Sequence, residues 1–407
     1  MRVLLSTKFY FPGGGDGVYT LALEKLLRER GHDTLAFSME HPRNLPSRQA
    51  PDFVSHIDFS ESHQRRSLRD SWRVPFRSVL SYEAYRKLDR LLEREKVDVA
   101  HLQNIHFHLT PSILYALRKH RVPVVWTLHD YVILCPESHF LSHGDVCESC
   151  KPARYHQAVV KRCQRGSLSA SLLAATASAV PRFLGSYRSV ARFVTPSRFM
   201  RQKFLEFGFP ERQLVHLPNF VDFARIEPSS RTGGYFLYAG RLSREKGVDT
   251  LLRAVSRRPE LALRVVGDGG ETLRLKEEYG HLEHVRFLGW RDRDQLAELF
   301  AGAIAVVLPS EWYENFPLVI LEAYAHGKPV VASRLGALPE NVREGETGLL
   351  FDPGDAEGLE ARLTELAGST NRALDMGRNG RAWVERDFGP DSHLERLEKL
   401  YAEVGAR

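Results

Sequence analysis

The chain has 407 residues, 43% hydrophobic and 27% charged, the balance of an ordinary globular protein. That length exceeds what one core usually supports, so two domains are expected, and no run of 18 apolar residues occurs, which excludes a helical membrane span. The net charge of +6 is uneven: residues 1–222 hold 32 Lys and Arg against 21 Asp and Glu, whereas residues 223–407 hold 25 against 30. A basic first half suits an anionic partner (nucleic acid, an acidic lipid surface or a phosphorylated substrate) or is simply a solvated face.

In chain order the pattern is strand, loop, helix, repeated. RVLLST opens as a strand, and MRVLLSTKFYF lacks the apolar length and cleavage site of a signal peptide, so a cytoplasmic protein is expected. VYTLALEKLLRERG follows with helical spacing and a terminal Gly31. TLAFSM, VDVAHLQ (97–103), VPVVWTLH (122–129) and ARFVTPS (191–197) are the next strands. Residues 41–80, with the Arg-rich QRRSLRDSWR (64–73), read as a mobile basic insertion. The second half repeats the alternation with YFLYAG (235–240), LALRVVG (261–267), VRFLG (285–289), AIAVVLPS (303–310) and PVVASR (329–334). Short apolar strands between helices indicate a parallel sheet covered on both faces. Two such series predict an α/β protein of two doubly wound domains, 1–222 and 223–390. Residues 391–407 form an amphipathic helix that returns to the first domain. Pro218, Pro228 and a Ser/Gly cluster place the boundary within 214–234.

The first glycine loop, FYFPGGGDGVYTLAL (9–23), is no P-loop, because no Lys-Ser/Thr follows it. It fits a dinucleotide fingerprint poorly. Gly13 and Gly15 match, but Val18 takes the third glycine's place and six residues separate strand from glycines, although Glu40 could serve the ribose. What remains is a set of free N–H groups near a helix start, suited to phosphate or sugar. In the second half, Glu314 and Glu322 flank the start of a helix near Pro317, where Pro is tolerated. One carboxylate at the mouth and one further down the helix can hold two hydroxyls of one ligand. Arg241 and Lys246 follow a strand and precede a helix at Gly247. Asp292-Arg293-Asp294 has D-x-D spacing, but its place before QLAELF makes Asp292 or Asp294 a helix N-cap rather than a metal ligand.

The glycine loop, WTLHD (126–130), LPNFVD (217–222), YAGRLSREKGVDTLL (238–252), VVGDGG (265–270), FLGW (287–290), the Glu pair, GKPVVAS and GLLFDPGD occur in this order. The chain thereby resembles the family 4 glycosyltransferases, specifically a subgroup with four cysteines in the N-terminal domain. The resemblance implies a retaining enzyme of GT-B architecture, with two Rossmann-like domains facing across a cleft. The first would bind the acceptor and the second a nucleotide diphosphate sugar, UDP- or GDP-linked. Glu322 would hold the donor ribose and Glu314 the transferred sugar. Asn315, Phe316, Pro317 and Leu318 would line the donor, with the Phe316 and Leu318 N–H groups beside the sugar. Arg241 and Lys246 would clamp the diphosphate, Gly14 and Gly15 would approach it from the first domain, and His129 would sit beside the sugar. The family pattern E-G-F-G is here Glu314-Asn315-Phe316-Pro317, which puts donor choice in question. Catalysis would need no metal. The acceptor would be a glycan or a lipid-linked glycan, in cell-surface polysaccharide or glycoconjugate synthesis, and nucleic acid is not expected as a partner. The competing readings are a nicotinamide-dependent oxidoreductase and a non-catalytic sugar-nucleotide or nucleic-acid binder.

The four cysteines fall within 29 residues as C-x11-C-x2-C-x12-C: Cys135, Cys147, Cys150 and Cys163. A structural zinc is the first expectation, an iron–sulfur cluster the second, with His139, His143 or His156 able to replace a thiolate. Free thiols and disulfides are the alternatives. SLSASLLAATASAVPRFLGSYRSVARF (167–193) reads either as a packed core helix or as a segment against a membrane surface or amphiphilic acceptor. A peripheral location at the inner face of a membrane follows from the second.

Overall fold

The structure, a computed structural model, describes residues 1–56 and 77–406. The Arg-rich stretch at 64–73 lies outside them. The chain divides into two compact units. The first comprises Met1–His143, Cys147–Leu217 and Leu394–Arg407, and the second Gly144–Val146 and Pro218–His393.

In the first unit six strands form one parallel sheet: β1 (Arg2–Ser6), β2 (Asp33–Phe37), β3 (Val99–Leu102), β4 (Val124–Thr127), β7 (Arg192–Thr195) and β8 (Leu214–His216). The two-residue strands β5 (Leu141–Ser142) and β6 (Asp145–Val146), the latter in the second unit, lie outside both six-stranded sheets. The order is β2-β1-β3-β4-β7-β8. Successive residues Val3, Leu4 and Leu5 are all buried, as expected of a strand covered on both faces. The helix Gly15–Glu29 buries Tyr19, Leu23 and Leu27, spaced four apart on one face, and stops before Gly31, whose φ is 87°. The last helix, Pro390–Glu403, joins this unit from Leu394 onward. Tyr401 Oη lies 2.6 Å from His101 Nδ1, and His32 Nε2 lies 2.7 Å from Glu398 Oε1.

The second unit has its own six-stranded parallel sheet: β9 (Tyr235–Ala239), β10 (Ala262–Val266), β11 (Val285–Gly289), β12 (Ala303–Leu308), β13 (Val330–Ser333) and β14 (Gly348–Phe351). Its order is β11-β10-β9-β12-β13-β14. Adjacent residues feed opposite faces. Phe236, Val265 and Val307 enter one core with Leu251 and Leu363, while Leu237, Val266 and Val306 enter another with Leu321 and Trp383. That alternation is the two-residue period of a strand used on both sides.

Four strands were not expected: the short β5 and β6, and one strand in each parallel sheet. β8 lies in the stretch read as linker, and β14 in the GLLFDPGD motif. Both are edge strands, and β8 is only three residues long, too short for a pattern. Asp292, as expected, caps the helix Arg293–Gly302: its carboxylate accepts from Gln295 N at 2.9 Å in a reciprocal capping box.

Candidate functional site

In an open parallel sheet the ligand crevice lies past the carboxyl ends of the strands, where the order reverses. In the second unit that point falls between β9 and β12. The loop after β9 carries Arg241 and Lys246, and the loop after β12 carries Ser310, Trp312 and Glu314. Lys246 Nζ donates to Glu314 Oε1 at 2.7 Å. The same oxygen accepts from Ser310 Oγ at 2.6 Å and Trp312 Nε1 at 3.0 Å. The Lys246 ammonium also stands 4.9 Å from the Trp312 ring centroid. Glu314 is 5% exposed, so this is a desolvated ion pair with its oxygen fully engaged.

Gly247 makes the approach of the two loops possible. Its φ is 65°, and a Cβ there would lie 1.8 Å from Pro309 O at the end of β12. Only a residue without a side chain fits a left-handed position pressed on another backbone. Arg241 is freer: its guanidinium faces Glu245 at 3.8 Å with a side chain 60% exposed.

From Glu314 the chain runs through Asn315 and Phe316, both buried, to Pro317, which precedes the helix Leu318–Ala325. No side chain caps that helix start, so its first N–H groups are available to a ligand. Glu322 lies one turn inside the helix and is part-buried. Burial raises its carboxyl above the usual carboxylate range, opposed by the charge of Arg293.

The first unit reverses its strand order between β1 and β3. Past β1, Gly13, Gly14 and Gly15 are exposed, and Gly14 precedes the helix Gly15–Glu29 with φ 140° and no side-chain cap. A Cβ on Gly15 would meet nothing within 4 Å, so open space adjoins the backbone there. Past β4, His129 Nε2 lies 2.7 Å from Gln103 Oε1, at the end of β3, and its ring is edge-on to Tyr19. Burial lowers the His129 pKa, while Asp16 and Asp130 act the other way. Beside the loop, Phe11 stacks on His41 with centroids 4.8 Å apart. His41, Leu45, Phe53 and His56 line a cavity of about 740 Å³. Glu40, weighed as a ribose ligand, lines the same cavity and lies 3.6 Å from Lys87 Nζ.

The structure therefore brings Lys246 and Glu314 into contact and sets Arg241, Phe316, Leu318 and Glu322 around the same strand ends. Gly14, Gly15 and His129 occupy the equivalent ends of the other sheet. Ser310, Trp312 and Gln103 were missed. Their signal is position, since Ser310 and Gln103 are the last residues of predicted strands.

The metal expectation is corrected. Among the described residues no group of three or more His, Cys, Asp or Glu side chains is gathered to hold an ion. Cys135, Cys147, Cys150 and Cys163 are free thiols. Cys147 Sγ lies 3.3 Å from Lys161 Nζ and 3.4 Å from Ser149 Oγ, and Cys163 Sγ lies 3.8 Å from Ser142 Oγ. Cys135 and Cys150 are buried, and burial first, then the neighbouring thiols, pushes them up to about 12 and about 11. Against the effect of burial, Ser149 and Lys161 hold the Cys147 thiol below its usual range. The candidate substitutes are engaged too. His139 faces Glu137 and Ser138, His143 Nε2 lies 2.9 Å from Lys161 O, and His156 Nε2 lies 3.0 Å from Gln157 Nε2. Zinc and iron–sulfur are thus unsupported as parts of this protein. The excursion after His129 is fixed by ordinary packing instead: Phe140 is buried against Tyr131 and Phe207, and Tyr155 Oη donates to Ile133 O at 2.8 Å.

Two Rossmann-like units, each with polar groups at its switch point, define a doubly wound α/β protein. Residues 13–225 match the family described as Glycosyltransferase Family 4, and residues 222–383 match Glycosyl transferases group 1. The chain belongs to the family 4 glycosyltransferases. One relative is the GDP-mannose-dependent alpha-(1-6)-phosphatidylinositol monomannoside mannosyltransferase of Mycolicibacterium smegmatis, 34% identical over 54% of this chain and 63% of that protein. The chain thus spans less than two thirds of that relative's length. The N-acetyl-alpha-D-glucosaminyl L-malate synthase of Bacillus anthracis is 25% identical over 99% of this chain and 98% of its own. Among solved structures, Anabaena HepE in complex with UDP and glucose superposes with a TM-score of 0.69 at 20% identity, covering 99% of both chains. The sucrose-phosphate synthase of Thermosynechococcus elongatus gives 0.73 at 19% identity, again over 99% of both. These likenesses establish the GT-B fold.

Proposed function

We propose that this protein transfers a hexose-type sugar from a nucleotide diphosphate sugar to a hydroxyl of a glycan or lipid-linked glycan, retaining the anomeric configuration. The observation that carries this reading is the meeting of Lys246 and Glu314 at the switch point of the second sheet, beside an uncapped helix start. In this reading Lys246 and Arg241 hold the donor diphosphate and stabilise the charge that develops on it as the sugar leaves. Those cations and the helix N-terminus supply the positive charge, so the reaction proceeds without a metal. Glu314 Oε1 is engaged by three donors, which leaves the second oxygen to accept from a sugar hydroxyl. Such a carboxylate orients the sugar and is a poor nucleophile. The acceptor hydroxyl then attacks from the leaving-group side, and its proton passes to the departing diphosphate oxygen. Glu322 binds the ribose. His129 hydrogen-bonds the sugar through Nδ1, since Nε2 is paired with Gln103.

The first unit takes the acceptor in the cavity beside Phe11, while Gly14 and Gly15 approach the donor. The donor is UDP- or GDP-linked: the Mycolicibacterium relative is named for GDP-mannose and the Anabaena protein was solved with UDP. The role is cell-surface polysaccharide or glycoconjugate synthesis on the cytoplasmic side. A thermal-shift panel of UDP- and GDP-sugars, NAD and oligonucleotides tests the reading. Stabilisation by a nucleotide sugar supports it; stabilisation by NAD alone refutes it.

A further inference from the structure

From Ser149 to Leu205 the chain carries eleven Lys and Arg and not one Asp or Glu. This stretch, in the first unit, contains the helix Leu168–Phe183. Its side-chain sizes are inverted relative to a core helix. The buried positions are small: Ser171, Ala174, Ala175, Ser178 and Pro181. The bulky residues face out: Leu168 is 55% exposed, Leu172 56%, Phe183 78% and the adjoining Leu184 60%. Leu168 and Leu172 are one turn apart, and part-exposed Thr176 and Ala179 continue the row to Phe183. At the helical rise the row is about 24 Å long. No charged residue interrupts the chain from Ser167 to Pro181. Exposed Arg162 and Arg165 precede the row, Val160 beside them is 71% exposed, and exposed Arg188 follows it.

We propose that this face docks the protein in the plane of an anionic lipid bilayer. The apolar row would sit at the acyl boundary, with the flanking arginines on headgroup phosphates. A helix with one apolar stripe and basic flanks lies in the interface rather than across it, and no helix among the described residues is long and apolar enough to cross a membrane. Charge selects this occupant over a second copy of the chain. A two-fold contact would set each basic flank against basic surface, with no acid between Ser149 and Leu205 to compensate. The proposal stands apart from the transfer reaction.

The test is co-sedimentation of the full chain with phosphatidylglycerol vesicles and, separately, phosphatidylcholine vesicles. Binding to the first only, weakened by high salt, is expected. Each arginine near the surface contributes about fivefold, so Arg162→Glu/Arg165→Glu lowers affinity at least about 25-fold. Leu172→Ser/Phe183→Ser also abolishes most binding. Because these side chains are exposed, the unfolding midpoint and nucleotide affinity stay unchanged. Leu273→Ser, at an exposed leucine of the second unit, binds as wild type does. No binding to either vesicle, equal binding to both, or wild-type binding by both double variants overturns the proposal. So does self-association that the Leu172/Phe183 variant abolishes while vesicle binding is absent.

Discussion

Lys246→Ala tests the centre of the site. Lys246 and Glu314 lie 2.7 Å apart with side chains 21% and 7% exposed. Removing the ammonium leaves a buried carboxylate held by Ser310 and Trp312. Truncating one partner of a buried ion pair destabilises by about 3–5 kcal/mol. Two donors remain, so the lower end, about 3 kcal/mol, is expected. For a domain of this size that lowers the melting midpoint by roughly 6–12 °C. Adding Glu314→Gln removes the stranded charge, so the double variant recovers most of the loss. Urea unfolding of the four proteins of this cycle gives the coupling directly, expected between about 1 and 3 kcal/mol. Calorimetric titration with UDP and GDP measures the second consequence. Loss of a charged hydrogen bond to the diphosphate weakens binding by about 10- to 150-fold. Additive single effects, together with unchanged nucleotide affinity, would refute both the buried pair and its phosphate role.

Other expectations follow from separate features. Glu322→Ala weakens nucleotide binding, while a nucleotide lacking the ribose hydroxyls binds wild type and variant alike; unchanged affinity in titration contradicts the ribose role. Gly247→Ala places a methyl against Pro309 O in a left-handed position and destabilises the second unit by more than about 2 kcal/mol in urea unfolding. His108 is held down to about 4 by burial first and by Lys8 next, below the unfolded value of about 6.5. The unfolded chain then binds more protons, so this stability is present above pH 6.5 and is lost as pH falls. The loss is about 2 kcal/mol by pH 5. His108→Gln should remove that much of the pH dependence between pH 7 and 5, measured by urea unfolding. Among the thiols, Cys147 should be alkylated first by iodoacetamide near neutral pH, and Cys135 last, as read by peptide mass spectrometry. Faster labelling of Cys135 would contradict the burial order.

What could be read from the chain follows from what a local pattern can encode. The inner strands are apolar on both faces and announce themselves as short hydrophobic runs. β8 does not, because its three residues sit among prolines and an edge strand need be covered less completely. Asp292 was legible because a capping box is a four-residue feature. Glu314 and Lys246 were legible as strand-end residues and through the family resemblance, but their bond was not. It joins residues 68 apart and depends on the backbone contact that Gly247 permits.

The cysteines show the converse. C-x2-C spacing is local and was read correctly as spacing, yet metal binding needs four donors to converge, and the side chains that meet Cys147 come from Ser149 and Lys161. A lysine beside a thiol lowers its pKa through the charge that a metal cation would otherwise supply. Sequence spacing cannot separate the two, because it fixes which residues are near along the chain and leaves open which cation the fold delivers. The opening glycines resolve by the same logic. Gly14 and Gly15 lie in the loop after β1, where the first sheet reverses its order, and a Cβ on Gly15 would meet nothing within 4 Å. That position explains the glycines without a dinucleotide fingerprint, since close approach requires only that no Cβ intervene.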